Sequence, residues 1–112
     1  MLIYKIFRGD EMSAFLDAKE TRGAPIDLAD GYVHMSTADQ VGGTLAKHFA
    51  GEDTLSLLAI EADTLGDDLK WEVSRGDALF PHLYRPLRLD DVVWHKPLTA
   101  DDHPSGFTPI WL

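Results

Sequence analysis

Cysteine is absent from this chain of 112 residues. Its absence excludes a disulfide framework, a thiolate nucleophile and a cysteine-rich metal site. Long hydrophobic runs are also missing, since none approaches the length of about 18 apolar residues that marks a membrane helix. The opening apolar run, "LIYKIF", is shorter than the apolar core of a signal peptide. We therefore expect a soluble cytoplasmic protein that does not associate with membranes.

Basic residues are scarce, because 10 Lys and Arg residues stand against 19 Asp and Glu residues. The formal net charge of -9 repels phosphate backbones, so general nucleic-acid binding is not expected. A local basic pocket for a small anion stays open as an alternative. Four basic residues fall close together along the chain: Lys70, Arg75, Arg85 and Arg88.

Several catalytic and binding motifs are missing as well. Gly-x-Ser-x-Gly, the nucleophile elbow of many serine hydrolases, does not occur. Neither phosphate-binding glycine pattern, GxxxxGK[ST] or GxGxxG, is present. The spacings His-x-His and His-Glu-x-x-His are absent too, so we predict no metal site. The length fits one domain over residues 1–112.

The spacing of apolar residues predicts more strands than helices. Strands are predicted over residues 2–8, 54–62, 69–73 and 92–96, with the second of them central, and helices over 11–20 and 38–50. Asp10 is the expected cap of the first helix, and Thr37 with Gln40 forms a capping box for the second. We expect an α+β fold with a mostly antiparallel sheet and two short helices in the first half.

Two segments are predicted to be irregular, and the C-terminal segment is predicted to pack. Residues 21–29 are expected to form a loop, because Gly23 and Pro25 interrupt any pattern. Pro81 and Pro86 are expected to keep the stretch around "FPHLYRPL" irregular. The apolar C-terminal residues 110–112 are expected to pack onto the body of the protein.

Three motifs combine polar side chains with apolar neighbours: "HMST" at 34–37, "KWE" at 70–72 and "FPHLY" at 80–84. His34 is either a core histidine with a backbone partner or part of a site. Ser36 follows two positions later on an extended segment, so both side chains should share one side. By the same alternation, the side chains of His82 and Tyr84 share one side of the segment. They belong either to a site, as a proton relay or a stacking platform, or to a plug at the edge of the core.

The "KWE" motif, which carries the one carboxylate among the three motifs, adds two more candidates, Trp71 and Glu72. Glu72 should project from the strand face opposite Trp71, since successive side chains alternate. On a solvent face Glu72 would carry no function, whereas on a covered face it could orient a ribose hydroxyl or stabilise a developing cation.

The series "DGYVHMST", "LKWE" and "FPHLY" resembles the DUF952 family of small bacterial proteins of unknown function, over about residues 2–98. That family is grouped by fold with ADP-ribosyltransferase-like proteins, which implies a split, mostly antiparallel sheet that holds NAD in a cleft. His34 and Ser36 then correspond to the His-x-Ser/Thr strand of part of that superfamily. By residue type alone, Tyr84 supplies the ring and Glu72 the carboxylate. The superfamily places its Glu strand last, so Asp90 or Asp91 is the alternative carboxylate.

The resemblance implies a protein that binds NAD or a related nucleotide, as a monomer or small homo-oligomer. If it is an enzyme, His34 and Glu72 are the expected catalytic residues for ADP-ribosyl transfer or NAD glycohydrolysis, where a carboxylate stabilises an oxocarbenium-like transition state. The ligand-binding set is His34, Ser36, Trp71, His82 and Tyr84. Two alternatives remain: a non-catalytic binding or interaction module of the same fold without a cofactor reaction, and a metal-assisted hydrolase that uses His34, His82 and His95.

Overall fold

The computed structural model describes residues 1–99, Pro109 and Leu112. Within this part the order of elements is β1 (Leu2–Arg8), α1 (Gly9–Ala18), β2 (Glu20–Thr21), α2 (Pro25–Asp30), β3 (Val33–His34), α3 (Ala38–His48), β4 (Leu55–Glu61), β5 (Leu69–Val73), β6 (Leu79–Leu83), β7 (Leu87–Arg88) and β8 (Val92–Leu98). No helix in the described part is long and apolar enough to cross a membrane.

All described strand pairs are antiparallel. A first sheet has the order β1-β4-β8 and a second sheet the order β3-β6-β5, while β2 and β7 form a separate ribbon. The two larger sheets are linked where Tyr4 and Ser36 exchange backbone hydrogen bonds of 2.7 and 2.9 Å. The prediction of a mixed fold with antiparallel sheets and few helices is confirmed.

The apolar core lies on both faces of the first sheet. Leu58 and Ile60 of β4 face one cluster, which α1 covers with Met12 and Phe15. Leu57 of β4 faces the other cluster, which α3 covers. These β4 side chains are completely buried, because the strand is central and both of its faces are packed. The nearly continuous apolar run therefore predicted the position of β4 correctly.

The loop predicted over residues 21–29 is wrong. Thr21 belongs to β2, and Pro25 begins α2 instead of interrupting a pattern. Proline suits the first helical position, where its missing N–H would have no partner within the helix. Asp27 stabilises the same turn, since its Oδ2 accepts a 2.7 Å hydrogen bond from the Ala24 N–H. The described part thus has three α-helices, not two.

The starts of the other helices were predicted with mixed success. α1 begins at Gly9, and Asp10 lies in its first turn instead of capping it. Glu11 takes that role by accepting a 2.8 Å hydrogen bond from the Arg8 N–H. The start of α3 is confirmed, because Gln40 Oε1 accepts a 3.0 Å hydrogen bond from the Thr37 N–H.

The prediction of an irregular stretch around Pro81 is wrong, since Pro81 lies in β6, the middle strand of the second sheet. The Pro81 carbonyl accepts a 3.0 Å hydrogen bond from the Met35 N–H. Because the nitrogen and the carbonyl of one strand residue point to the same side, the Pro81 nitrogen also faces Met35, which follows the last residue of β3. The missing N–H therefore falls where the strand pairing has ended. At the C-terminus, Ile110 and Trp111 lie outside the described residues, whereas Leu112 is half-buried against the α3-covered cluster.

Candidate functional site

A cavity of about 470 Å³ opens between β1, α2, β3, α3 and β6. Three predicted site residues line it: His34, Ser36 and His82. The other described lining residues come mainly from these elements and the loops beside them: Tyr4, Lys5, Ile6, Arg8, Ala24, Pro25, Ile26, Asp30, Tyr32, Met35, Thr44, Lys47, His48, Phe49, Ser74, Arg75 and Phe80. The size falls within the range of roughly 300–1,000 Å³ typical of small-molecule sites.

A buried ion pair supports one wall of the cavity. The Lys5 ammonium donates to Asp27 Oδ2 at 2.7 Å and to the His34 carbonyl at 2.9 Å. Asp27 is inaccessible to solvent along its whole side chain, and Lys5 is 6% exposed. Asp27 Oδ1 also accepts a 2.9 Å hydrogen bond from the His34 N–H. The backbone of β3 is thereby fixed to β1 and α2.

The electrostatics of this pair follow from burial and from its partners. Burial alone would raise the pKa of Asp27, but hydrogen bonds from His34 and the nearby Lys5 charge hold the pKa below its ordinary value. Burial lowers the pKa of Lys5, and the Asp27 carboxylate opposes that shift. Each charge therefore depends on the other, and Asp27 remains the ionised acceptor of the network.

The His34 ring has a carboxylate oxygen near each nitrogen. Asp27 Oδ1 lies 2.6 Å from Nδ1, and Asp30 Oδ2 lies 3.0 Å from Nε2. Both carboxylates come from α2, the helix that replaced the predicted loop. The ring is therefore fixed in orientation at the cavity wall. His34 thus lines the cavity and also has fixed hydrogen-bond partners, so it combines the two alternatives of a site residue and a structural histidine.

Four aromatic rings, which we call the aromatic cluster, gather beside the cavity: Tyr32, His34, His82 and Tyr84. Tyr32 stacks on His82 with ring centroids 4.2 Å apart and planes inclined by 24°. The Tyr32 centroid also lies 4.6 Å from His34 and 5.0 Å from Tyr84. The rings of His34 and His82 meet edge to face at 5.3 Å. The "HMST" and "FPHLY" motifs thus converge, since β3 and β6 pair directly.

Glu72 lies behind this cluster. Its Oε1 accepts a 2.6 Å hydrogen bond from the Tyr84 hydroxyl and lies 2.9 Å from His82 Nδ1. The bond from Tyr84, followed by that from His82, lowers the pKa of Glu72, and the carboxylate raises the pKa of Tyr84 to about 12. Glu72 and Tyr84 are not among the described residues that line the cavity. Their geometry orients His82 and does not place the carboxylate next to a ligand.

Other predicted residues lie away from the cavity. Trp71 is 39% exposed on the opposite face of β5 from Glu72, across from Pro81. Asp91, the alternative carboxylate, pairs with Arg85 at 2.9 Å. His95 lies exposed on β8 of the first sheet. Among residues 1–99, no three His, Asp or Glu side chains are grouped as a metal ion requires, so the metal-assisted alternative gains no support.

Three site residues were not predicted, and the sequence contained signals for two of them. Lys5 shares its strand face with Ile3 and Phe7, so a lysine stood at a position facing the core. Tyr32 precedes His34 by two positions and shares its side, as the alternation used for Ser36 would have indicated. Asp27 gave no such signal, because the helix that carries it was predicted as a loop.

Comparisons with known proteins identify relatives along most of the chain. The profile of DUF952, a protein family of unknown function, matches residues 6–95. The crystal structure of protein CC0527 from Caulobacter crescentus is 45% identical and covers 99% of this chain and 96% of its own, with a TM-score of 0.89. The solution NMR structure of CC0527 is 47% identical over 96% of this chain and 90% of its own, with a TM-score of 0.82. A search of curated proteins finds no match.

Proposed function

Because the chain belongs to the DUF952 family, whose function is unknown, we propose a function from the cavity itself: it binds NAD or a related ADP-ribosyl nucleotide. The observation that carries the proposal is the aromatic cluster beside a cavity of about 470 Å³. Stacked rings suit the flat faces of nicotinamide or adenine. The ADP-ribosyltransferase-like relationship belongs to the same proposal and is consistent with the antiparallel sheets.

His82 supplies a second argument for a polar ligand. The ring is only 3% exposed, and Glu72 holds its Nδ1. Among the described residues, no hydrogen-bond partner contacts His82 Nε2, although the side chain lines the cavity. Buried polar atoms nearly always have partners, so this nitrogen needs a ligand group or water. A ribose hydroxyl fits that requirement.

For glycosidic-bond chemistry, the carboxylate position favours Asp30 over Glu72. Asp30 lines the cavity and is held by His34, whereas Glu72 would act on a ligand only through His82. A carboxylate that stabilises an oxocarbenium-like centre must lie close to it. We therefore assign that role to Asp30 if NAD is cleaved, and a positioning role to Glu72.

Binding is tested by thermal shift and NMR titration with millimolar NAD, ADP-ribose and nicotinamide. We expect a rise in the melting temperature with NAD or ADP-ribose, and chemical-shift changes at Tyr32 and His82. Tyr32→Leu should remove the response, because it deletes the ring at the centre of the cluster. His95→Ala is the matched control on an exposed strand position and should respond like the wild type. His34→Ala removes a second ring and should also weaken binding.

The absence of any response in wild-type protein, or an undiminished response in Tyr32→Leu, would contradict the proposal. NAD turnover separates an enzyme from a non-catalytic binding module. Turnover that is lost in Asp30→Asn would establish the enzyme, whereas binding without turnover would establish the module. One observation favours the non-catalytic module. The Asp30 carboxylate, which would stabilise the oxocarbenium-like centre in an enzyme, already contacts His34 Nε2 at 3.0 Å.

A further inference from the structure

The α3 side of the cavity carries two cationic side chains that have no acidic partner among the described residues. Lys5 is neutralised by Asp27, and Arg8 by Glu52 through two contacts of 2.9 Å. Arg75 and Lys47 also line the cavity, but no carboxylate in the described part lies within ion-pair distance of either. In a chain of net charge -9, this local positive charge is unusual.

Arg75 is positioned by contacts that leave most of its donors available. The guanidinium carbon lies 5.0 Å from the centroid of the Phe80 ring, and Nη2 donates to Thr44 Oγ1 at 3.4 Å. Thr44 Oγ1 lies 2.9 Å from Ser36 Oγ. A guanidinium and two hydroxyls thus line one wall of the cavity, and guanidinium donors match the oxygens of a phosphate in geometry and charge.

A glycine in α3 makes room for this arrangement. Gly43 lies inside the helix, where glycine is less favourable than alanine. A Cβ atom added at Gly43 would lie 3.0 Å from Arg75 Nη2, which is closer than ordinary packing allows. Alanine at this position would therefore require the Arg75 guanidinium to shift by a few tenths of an ångström from its present position.

We propose that Arg75, Thr44 and Ser36 form a phosphate-binding subsite, to which Lys47 adds charge. The assignment rests on the proposed nucleotide-binding function, and it specifies where the phosphate end of the ligand lies. Phe80, under Arg75, and His82 of the aromatic cluster are two positions apart on β6 and both line the cavity. That separation is about 7 Å. It places the phosphate or diphosphate next to a sugar and ring bound at the cluster.

The subsite is tested by calorimetric titration of purified protein with sodium pyrophosphate, ADP-ribose and adenosine at fixed low salt. Arg75→Gln should weaken pyrophosphate and ADP-ribose binding by about tenfold or more, because a charge-assisted hydrogen bond is lost. Adenosine binding should not change. Arg22→Gln is the matched control, since it removes the same charge from an exposed side chain outside this cavity. Gly43→Ala should weaken pyrophosphate binding while the melting temperature stays the same or rises.

The outcomes separate this subsite from the function on which it rests. One outcome is that pyrophosphate binding depends on Arg75 but ADP-ribose binds no more tightly than pyrophosphate. This outcome would support the subsite and contradict the nucleotide proposal. ADP-ribose binding that is equally tight in wild-type protein and Arg75→Gln would overturn the subsite and leave the nucleotide proposal standing. The subsite also fails if wild-type protein binds no pyrophosphate, or if Arg22→Gln weakens binding as much as Arg75→Gln.

Discussion

The two three-stranded sheets of this protein use their faces differently. In the first sheet, β4 and most of β1 are buried on both sides by apolar clusters. In the second sheet, one face packs Leu83 into the core, whereas the other carries His82 and Glu72 beside the cavity. The first sheet therefore supplies most of the apolar burial, and the second supplies the two histidines of the site, His34 and His82.

Lys5 connects the two sheets. It comes from β1 of the first sheet, yet its ammonium bonds to Asp27 and to the carbonyl of His34 beside the second. A buried charge of this kind is tolerated only while its partner is present. The polar site is thus attached to the apolar core by this ion pair as well as by the backbone hydrogen bonds between Tyr4 and Ser36.

Removing that ion pair should produce the largest effect. Asp27→Ala leaves the Lys5 ammonium buried without its partner and removes acceptors from the Ala24 and His34 N–H groups. We expect the free energy of unfolding to fall by about 3–5 kcal/mol. Urea denaturation measures the loss as a shift of the midpoint at constant slope.

Asp30→Ala is the control for this change. Asp30 comes from the same helix, but its side chain is 45% exposed and bonds only to His34 in the described part. Its loss should cost no more than about 1 kcal/mol. Equal destabilisation by the two variants would show that burial of the Asp27 pair does not matter to stability.

A change in the first sheet should be somewhat less damaging and should leave the site intact. Leu58→Ala deletes a completely buried side chain of β4 and should cost about 2–5 kcal/mol. NMR signals of Tyr32 and Tyr84 should remain at their wild-type positions, because Leu58 is not among the residues that line the cavity. Val73→Ala, at a 64% exposed position of β5, should change stability by no more than about 0.5 kcal/mol. Altered tyrosine signals in Leu58→Ala would mean that the two regions are not separable.

The first sheet was the more predictable region. Its strands follow from apolar runs such as residues 55–61, where burial on both faces leaves a continuous signal. The second sheet was harder to predict, because β3 has only two residues and β6 contains Pro81. A proline is admitted there by the register with Met35, which is a tertiary feature that local sequence does not reveal.

The candidate site was predictable only where alternation applied. His34 and Ser36 are two positions apart, and this spacing correctly indicated that their side chains lie on one side of the segment, where both line the cavity. The pairing of β3 with β6 brings His82 to the same cavity. The pairing of Lys5 with Asp27, and the position of Lys5 and Arg75 at one cavity, could not be inferred, since these residues come from distant segments that only the folded chain brings together. Their roles become visible through burial and charge pairing, not through spacing.

The smallest effect on stability should come from Glu72, which tests the polar face of the second sheet alone. The Glu72 carboxylate raises the pKa of Tyr84 to about 12, so the neutral phenol is favoured in the folded protein. The associated stability is present below the ordinary tyrosine pKa of about 10 and is lost as the pH rises from there through about 12. In Glu72→Gln the pKa of Tyr84 should return toward 10, as followed by ¹³Cζ NMR, and the urea midpoint at pH 7 should fall only slightly, because the contact between Tyr84 and Glu72 is exposed to solvent. Glu61→Gln removes a carboxylate that bonds to the N-terminus, and it should leave the Tyr84 titration unchanged. Ionisation of Tyr84 near pH 10 in wild-type protein would mean that Glu72 does not hold the hydroxyl, and the positioning of His82 by the same carboxylate oxygen would lose its support.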